Sequence, residues 1–262
     1  MHTRSINFAT YSSIRIGPNV EVAMIEPGDA FPSDRYLIGG ANNLLLSPTP
    51  PPLMMLAKDF AYIHEADGLL EIGAAMPSGR IVSYARKHDI GGFEFCAKLP
   101  GTLGGMLAMN AGVKTHETFD RLAYVKINNQ WIPKEAIPHG YRYADLGGIA
   151  TAARFSIERG FDARLLKELA ALRANQPRDP SAGSAFKNPP NDAAGRLIEA
   201  VGLRGHRHGG MAWSAQHANF LVNLGNGTYD EAIHLIELAK TRVNEHFGIL
   251  LEEEIKILNH DV

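Results

Sequence analysis

The chain has 262 residues, with 26 Lys or Arg against 28 Asp or Glu, and a formal charge of −2 at neutral pH. Its 45% hydrophobic and 21% charged residues are ordinary for a globular protein, which excludes a disordered tail protein. The near-neutral charge lacks the basic footprint of a dedicated nucleic-acid binder, and the single cysteine, Cys96, excludes an internal disulfide framework and any CxxC site.

About 150 residues at the N-terminal end are typical of short strands separated by Gly and Pro. Strand-like runs occur at Glu21–Ile25, Tyr36–Ile38, Leu44–Leu46, Leu69–Ile72 and Tyr124–Ile127. One helix is indicated from Pro77, a favourable first helical residue, towards the stop signal Gly91-Gly92. The run Pro48–Pro52 is typical of a stiff loop or linker between two small lobes.

From about residue 161 onward the apolar residues recur with the period of a helix. The elements predicted in this half are helices over about 161–176, Asp192–Ala200 and 228–247, and a final strand over Ile249–Leu258. The longest helix has the clearest limits, because Thr228 and Glu231 form a capping box and Gly248 provides a stop.

The strand-rich first half and helix-rich second half predict an α+β fold with separate domains. Residues 1–160 form the first region, in two lobes of about 1–55 and 56–160, and residues 161–262 form the second. A membrane-spanning helix needs about 20 mostly apolar residues, and the longest uncharged stretch, 209–229, is too polar for that. Since the N-terminus also lacks the apolar core of a secretory signal, the sequence predicts a cytoplasmic protein.

Several common chemistries are excluded by their missing motifs. The chain has no GxGxxG after a strand, no Walker loop, no HExxH and no GxSxG. His206 and His208 alternate as metal ligands can, but no carboxylate or cysteine joins them, which favours a polar loop and no metal site. Cys96 is a candidate nucleophile, although its apolar neighbours favour a small buried residue.

Two glycine-rich segments, residues 38–44 and 99–105, remain unexplained, and the second is followed by residues 109–112. Both put unhindered N–H groups into tight turns, a geometry that forms anion-binding nests. Either segment alone is more often a plain turn. Two of them in a strand-rich half favour a nucleotide pyrophosphate held without a Rossmann helix.

A third segment, residues 176–189, carries Ser184, Lys187 and Asn188 in a turn bounded by Gly and Pro. These side chains offer a proton donor, a phosphate-binding cation and an amide. The alternative is a surface turn whose side chains are solvated.

Together these segments resemble the UDP-N-acetylenolpyruvoylglucosamine reductase (MurB) family nearly end to end. The matching segments are residues 11–17, 39–44, 92–95, 100–105, 110–112, 141–142, 180–189, 195–199, 217–220 and 247–255. Ala41 and Asn42 depart from the Gly and Ser usual in the first loop, and Ala144, Leu146 and Val113-Lys114 also differ. The short chain is similar to the subtype without the long substrate-closing insertion.

The resemblance implies a two-lobed, PCMH-like FAD-binding region without a Rossmann fold, followed by a C-terminal substrate domain. It also implies that NADPH and the substrate share one cleft, that the enzyme is a monomer and that it binds neither nucleic acid nor metal. The implied catalytic residues are Arg142, Ser184 and Glu254. The implied cofactor-binding residues are Gly39, Gly40, Ala41, Asn42, Asn43, Leu44, Pro100, Gly101, Thr102, Gly104, Gly105, Asn110 and Gly112. The implied substrate-binding residues are Tyr141, Gln176, Lys187 and Asn188.

The family reaction gives each catalytic residue a role. NADPH reduces FAD, whose hydride then reaches the enolpyruvyl alkene and leaves carbanion character beside a carboxylate. The resemblance implies that Arg142 and Glu254 flank that carboxylate, where a glutamate is sensible only if it is protonated or shares a proton, and that Ser184 protonates the carbon. Each has a simpler alternative: Arg142 as a surface residue in a turn, and Ser184 as a turn cap. In a strand, alternation would put Glu253, and not Glu254, on the same face as the apolar residues. The spacing from Phe247-Gly248 instead favours Glu254 as the catalytic residue.

Two other functions fit the same sequence. One is a different FAD-dependent oxidoreductase on the same scaffold, acting on an alcohol or hydroxy acid. The other is a non-catalytic sugar-nucleotide or RNA-binding protein that uses the glycine loops for phosphate.

Overall fold

The computed structural model describes residues 2–172 and 175–260. The α-helices are α1 Phe8–Tyr11, α2 Ser78–Lys87, α3 Leu103–Ala108, α4 Ala163–Leu172, α5 Ala194–Ala200 and α6 Tyr229–Phe247, with 3₁₀ turns at Lys58–Phe60, Glu94–Lys98 and Lys134–Ala136. The strands are β1 His2–Asn7, β2 Asn19–Ile25, β3 Tyr36–Leu37, β4 Leu44–Leu46, β5 Leu53–Leu56, β6 Ile63–Ala66, β7 Leu69–Gly73, β8 Gly112–Val113, β9 His116–Glu117, β10 Leu122–Ile127, β11 Gln130–Pro133, β12 His139–Gly140, β13 Tyr143–Ala144, β14 Ala150–Ser156, β15 Ser181–Ser184, β16 Arg207–His208, β17 Met211–Trp213, β18 Phe220–Asn223 and β19 Lys256–Leu258.

The described chain divides into two compact units that interleave along the sequence. Unit 1 comprises residues 2–4, 22–40 and 52–172, and unit 2 comprises residues 5–21, 41–51 and 175–260. The predicted domain limits near residues 55 and 160 divide the chain by cofactor and substrate binding, whereas the two units are defined by compactness. The predicted limits therefore stay a prediction.

Unit 1 is built on a five-stranded antiparallel sheet in the order β11-β10-β14-β7-β6. Its central strand β14 is rich in small residues, and Ala152 and Ala153 are fully buried. Helices α2, α3 and α4 add Ile81, Leu107 and Leu169 to the same apolar core. Strands β2, β5 and β3 of a second sheet pair in parallel.

Unit 2 contains a four-stranded antiparallel sheet in the order β15-β18-β17-β16, and a parallel pair of β4 with β19. Its core includes Trp213 stacked on Phe186, against which α5 and α6 pack. Helix α6 begins with the predicted capping box of Thr228 and Glu231, and it ends at Gly248, whose φ is +68°. The capping box is therefore confirmed.

All five predicted strands of the first half are present, whereas other elements differ. Helix α2 starts one residue after Pro77 and ends at Lys87, well before the glycine pair. The predicted strand over Ile249–Leu258 is wrong over most of its length, because the chain bends after Glu253 and only β19 pairs. The sheet of unit 2 and helix α3 were not predicted, since their strands and turns are too short to show a period. The end of the predicted 161–176 helix includes residues 173–174, which lie outside the described residues.

No helix among the described residues is long and apolar enough to span a lipid bilayer.

Candidate active site

Arg142 lies at the tip of a short hairpin in unit 1. Strands β12 and β13 pair His139 with Ala144 and Gly140 with Tyr143, so Tyr141 and Arg142 form the turn. Arg142 has a φ of +55°, a left-handed conformation that costs a non-glycine residue about 1–2 kcal/mol. Backbone strain of this kind persists only where the surroundings hold it, and it concentrates at functional sites.

The Arg142 side chain is oriented by its own unit. Its Nη2 donates a hydrogen bond of 3.0 Å to the carbonyl oxygen of Gly112, and its guanidinium lies 5.0 Å from the centre of the Tyr141 ring. A guanidinium has several donors in a rigid fork, so it can hold a backbone carbonyl and bind a carboxylate at once.

The two glycine-rich segments of the sequence meet in unit 1. A Cβ added at Gly39 would lie 2.8 Å from Oγ1 of Thr102, so glycine is required for this close approach. The N–H of Gly104 donates to the Ala74 carbonyl at 2.8 Å, whereas the N–H of Gly105 has no acceptor among the described residues. Gly101 precedes them with a φ of +108°.

Gly105 differs from its neighbour in what surrounds it. A Cβ at Gly104 would lie 3.2 Å from the Ala74 carbonyl oxygen, but one at Gly105 would meet no described atom within 4 Å. Neither residue has a left-handed φ. The protein's own packing therefore does not require glycine at position 105.

The first loop continues into unit 2, where Ala41 adopts a left-handed φ of +49° although it is not glycine. Its carbonyl accepts the N–H of Ser13 at 3.2 Å. Asn43 is linked to the C-terminal segment, because its Nδ2 donates to the Glu254 carbonyl at 2.9 Å and its own carbonyl accepts from Lys256. Leu44 then opens β4, in register with Lys256. Hydrogen bonds and strand pairing thus join the end of the first loop to the segment that carries Glu254.

Ser184 ends strand β15, opposite Phe220, directly after Gly183 with a φ of +84°. It is half-buried, and its hydroxyl has no hydrogen-bond partner within the described residues. The next residue, Ala185, accepts the backbone N–H of Glu254 at 2.8 Å. The structure therefore places the predicted residues Ser184 and Glu254 on adjoining segments of unit 2.

The neighbouring Glu253 has a different partner. Its carboxylate accepts a hydrogen bond of 2.8 Å from Nζ of Lys240 on α6. This bond raises the pKa of the Lys240 ammonium. Glu253 is therefore bonded to the helix, and the choice of Glu254 for the catalytic role stays a prediction.

Comparison with known proteins identifies the family. The UDP-N-acetylenolpyruvoylglucosamine reductase of Helicobacter hepaticus is 48% identical over 262 residues, which cover 98% of this chain and 100% of the relative. This chain belongs to that reductase family. The reductase of Campylobacter jejuni strain RM1221 is 43% identical, over 97% of this chain and 99% of the relative. The family model for the C-terminal domain of the reductase matches residues 176–258.

A solved reductase has the same fold. The crystal structure of the reductase (MurB) from Thermus caldophilus matches with a TM-score of 0.85 and 29% identity, and the match covers 99% of this chain and 100% of that chain. The near-complete coverage confirms the resemblance seen in the sequence and the predicted fold class.

The four predicted substrate-binding residues differ in exposure and in hydrogen-bond or ion-pair partners. Tyr141 is half exposed, and Gln176 is half-buried. Lys187 forms an ion pair with Glu252. The Asn188 side-chain oxygen accepts the N–H of Ala194 at 3.1 Å and so caps the first turn of α5. Asn188 therefore has a structural role that the sequence did not reveal.

Sequence reasoning also did not reveal the role of Asn219, which lies in a segment matched only by resemblance. The buried side chain of Asn219 accepts the N–H of Phe186 at 3.0 Å and donates to the Phe186 carbonyl at 2.8 Å. Its own carbonyl accepts the N–H of Ala185. Asn219 thus fixes the backbone that follows Ser184.

The sequence also offered Cys96 and His208 as candidates for chemistry. Cys96 is buried, and desolvation together with the charge of Glu94 raises the pKa of its thiol far above the ordinary value. His208 stacks on His234 at 4.0 Å between ring centres. No cluster of three or more His, Cys, Asp or Glu side chains suited to a metal occurs in the part of the chain that the structure describes.

Proposed function

We propose that this chain reduces UDP-N-acetylenolpyruvoylglucosamine to UDP-N-acetylmuramate, a step of peptidoglycan precursor synthesis, with FAD as cofactor and NADPH as reductant. The observation that carries the proposal is the end-to-end match to the Helicobacter hepaticus reductase, at 48% identity. The small-molecule substrate and NADPH would use one cleft in turn. We further propose that the enzyme is a cytoplasmic monomer, which size-exclusion chromatography with light scattering would test.

The residues present fit FAD. The Gly105 N–H has no acceptor among the described residues, and a nucleotide phosphate would supply one. The first loop, residues 39–44, and the second, residues 100–105, would hold the cofactor together with Asn110 and Gly112. When bound, FAD supplies the hydride for the terminal alkene carbon of the substrate.

Arg142 is proposed to stabilise the charge that then develops beside the substrate carboxylate. Its guanidinium is already oriented by the Gly112 carbonyl, so little reorganisation is needed as the charge forms. Fixed donors aimed at developing charge are usually the largest contribution to catalysis.

Ser184 is proposed to donate a proton to the carbon that acquires carbanion character. A hydroxyl is a weak acid, and only a partner as basic as a carbanion can take its proton. Because its hydroxyl has no partner among the described residues, no bond within that part of the protein has to break first.

Glu254 is proposed to lie beside the same carboxylate with a shared proton. An ionised glutamate next to an anion would be repelled, so the role requires Glu254 to be protonated or to share a proton with that carboxylate. The backbone bonds to Ala185 and Asn43 would hold Glu254 in place.

The decisive experiment is the visible absorption spectrum of the purified chain. We expect flavin absorbance that disappears with NADPH and returns when the enolpyruvyl sugar nucleotide is added. A bleached flavin that this substrate cannot reoxidise would favour another FAD-dependent oxidoreductase. A colourless protein that cannot be reconstituted with FAD would favour a non-catalytic sugar-nucleotide binder.

A further inference from the structure

Glu117 of unit 1 is connected to the Arg142 hairpin through Asn110, and it has no role in the reaction described above. It is the second residue of β9 and pairs directly with Gly112 of β8. This pairing is close: a Cβ on Gly112 would lie 2.3 Å from the His116 carbonyl oxygen and 2.9 Å from the Glu117 side chain. The Gly112 carbonyl that accepts from Arg142 therefore belongs to a peptide fixed by β9.

The Glu117 carboxylate also acts through a side chain. Its Oε2 accepts a hydrogen bond of 2.7 Å from Nδ2 of Asn110, and the same nitrogen donates to the carbonyl of Gly140 at 3.1 Å. Gly140 is the last residue of β12 before the turn that carries Arg142. The Oδ1 of the buried Asn110 accepts the N–H of Phe119 at 3.1 Å, so the amide group has a single orientation.

Two connections thus run from Glu117 to the hairpin. One passes through the paired Gly112 to the guanidinium, and the other passes through Asn110 to the backbone before the turn. We infer that Glu117 is a positioning residue, which holds Arg142 in its productive orientation through Asn110 and Gly112. The inference rests on the proposed role of Arg142 towards the substrate carboxylate.

The physical reason is the left-handed backbone of Arg142, which is unfavourable by itself and depends on its surroundings. The Glu117 side-chain oxygen is the acceptor that orients the Asn110 amide, and its reach from β9 sets where that amide lies. Without this acceptor, the Asn110 amide loses the partner that keeps its second N–H directed at Gly140. A displacement of about 1 Å at a catalytic group can reduce the rate about 100-fold.

The test compares Glu117→Gln, Glu117→Asp and Glu117→Ala in the FAD-loaded enzyme. Glutamine keeps an oxygen acceptor at the right length, whereas aspartate keeps the charge but shortens the side chain. Flavin reduction by NADPH and reoxidation by the enolpyruvyl sugar nucleotide are followed separately by rapid-mixing absorbance. We expect reoxidation to fall about 10- to 100-fold in the alanine variant, less in the aspartate variant and little in the glutamine variant. Flavin reduction should change little in all three.

Asp120→Ala is the matched control. Its carboxylate accepts the Glu117 N–H at 2.8 Å, so the variant perturbs the same loop without removing the acceptor of Asn110. Hydrogen exchange of residues 139–144 gives a readout independent of activity. We expect faster exchange there in Glu117→Ala than in Asp120→Ala or Glu117→Gln.

Several results would overturn the inference. Reoxidation by Glu117→Asp as fast as or faster than by Glu117→Gln would show that charge, and not reach, matters. An equal slowing of both half-reactions in these two variants would indicate a general structural role, and their comparison remains decisive if Glu117→Ala does not fold. If Arg142 variants are impaired while every Glu117 variant is normal, this inference fails and the proposed function stands. If the wild-type chain binds no FAD, the proposed function itself fails.

Discussion

The two units hold their proposed catalytic groups in different ways. In unit 1, Arg142 sits in a left-handed turn, and its side chain is bonded to the Gly112 carbonyl. In unit 2, Ser184 is positioned by backbone bonds around it, and its hydroxyl has no partner among the described residues. One group is fixed through its side chain, and the other only through its main chain.

The difference follows from the chemistry proposed for each group. A charge that stabilises a transition state is effective when its direction is set beforehand, because reorganisation would cost free energy. A proton donor must change partners during the reaction, and a permanent hydrogen bond would compete with that change. A guanidinium with a fixed orientation suits the role proposed for Arg142, and a hydroxyl without a hydrogen-bond partner among the described residues suits the role proposed for Ser184.

The largest effect should come from Gly105→Val, which would exclude FAD. Without the cofactor, neither Arg142 nor Ser184 could contribute to the reaction. Since a Cβ there meets no described atom within 4 Å and φ is not left-handed, the variant should fold. We expect a folded protein without flavin absorbance, in which Cys96 reacts with a thiol reagent only after unfolding.

Gly79→Val is the control for Gly105→Val. Gly79 is also helical, lies in unit 1 and has no described atom within 4 Å of an added Cβ. This variant should keep stoichiometric FAD. Stoichiometric FAD in Gly105→Val as well would mean that the second loop is only structural.

Ser184→Ala tests whether the Ser184 hydroxyl is the proton donor. Reduction by NADPH should stay near the wild-type rate, whereas reoxidation by the substrate should slow by about 10²–10⁴-fold, the range for a lost general acid. The free energy of unfolding should hardly change, because no hydrogen bond among the described residues is lost. A turn-capping serine would instead cost about 1 kcal/mol of stability with both half-reactions intact. Ser181→Ala, on the same strand, provides the control.

Arg142→Lys tests the fixed charge. Lysine keeps the charge but has no planar fork, so it cannot hold the Gly112 carbonyl and a carboxylate in the same geometry. We expect a loss of about 2–4 kcal/mol of transition-state stabilisation, measured as kcat/KM. Arg159→Lys, at an exposed ion pair with Glu65, should have normal kinetics. Normal turnover by Arg142→Lys would contradict the proposed role.

Asn188→Ala should have the smallest effect and the opposite character to Ser184→Ala. The Asn188 oxygen caps α5, so its removal should lower the free energy of unfolding by about 1 kcal/mol. Asn188→Asp keeps an acceptor and should restore the stability. An increase in KM for the sugar nucleotide in the alanine variant, at temperatures where it is fully folded, would support the predicted substrate contact.

The sequence by itself determined the features that depend on neighbouring residues. The α6 capping box, the Gly248 stop and the glycine-rich loops each involve groups a few residues apart, so local chemistry specifies them. The order of the motifs along the chain was enough to indicate the reductase family, because that order does not depend on contacts in space.

Tertiary structure decided the features that join distant segments. The ion pair of the Lys240 ammonium with Glu253 and the bend of the chain after that residue are two features that strand alternation did not predict. The pairing of Gly112 with Glu117 and the bond from Asn110 to Gly140 likewise bring together residues whose spacing has no period. A sequence pattern records which residues can form a hydrogen bond, but only the folded chain fixes the partner, because several acceptors compete for each donor until packing selects one.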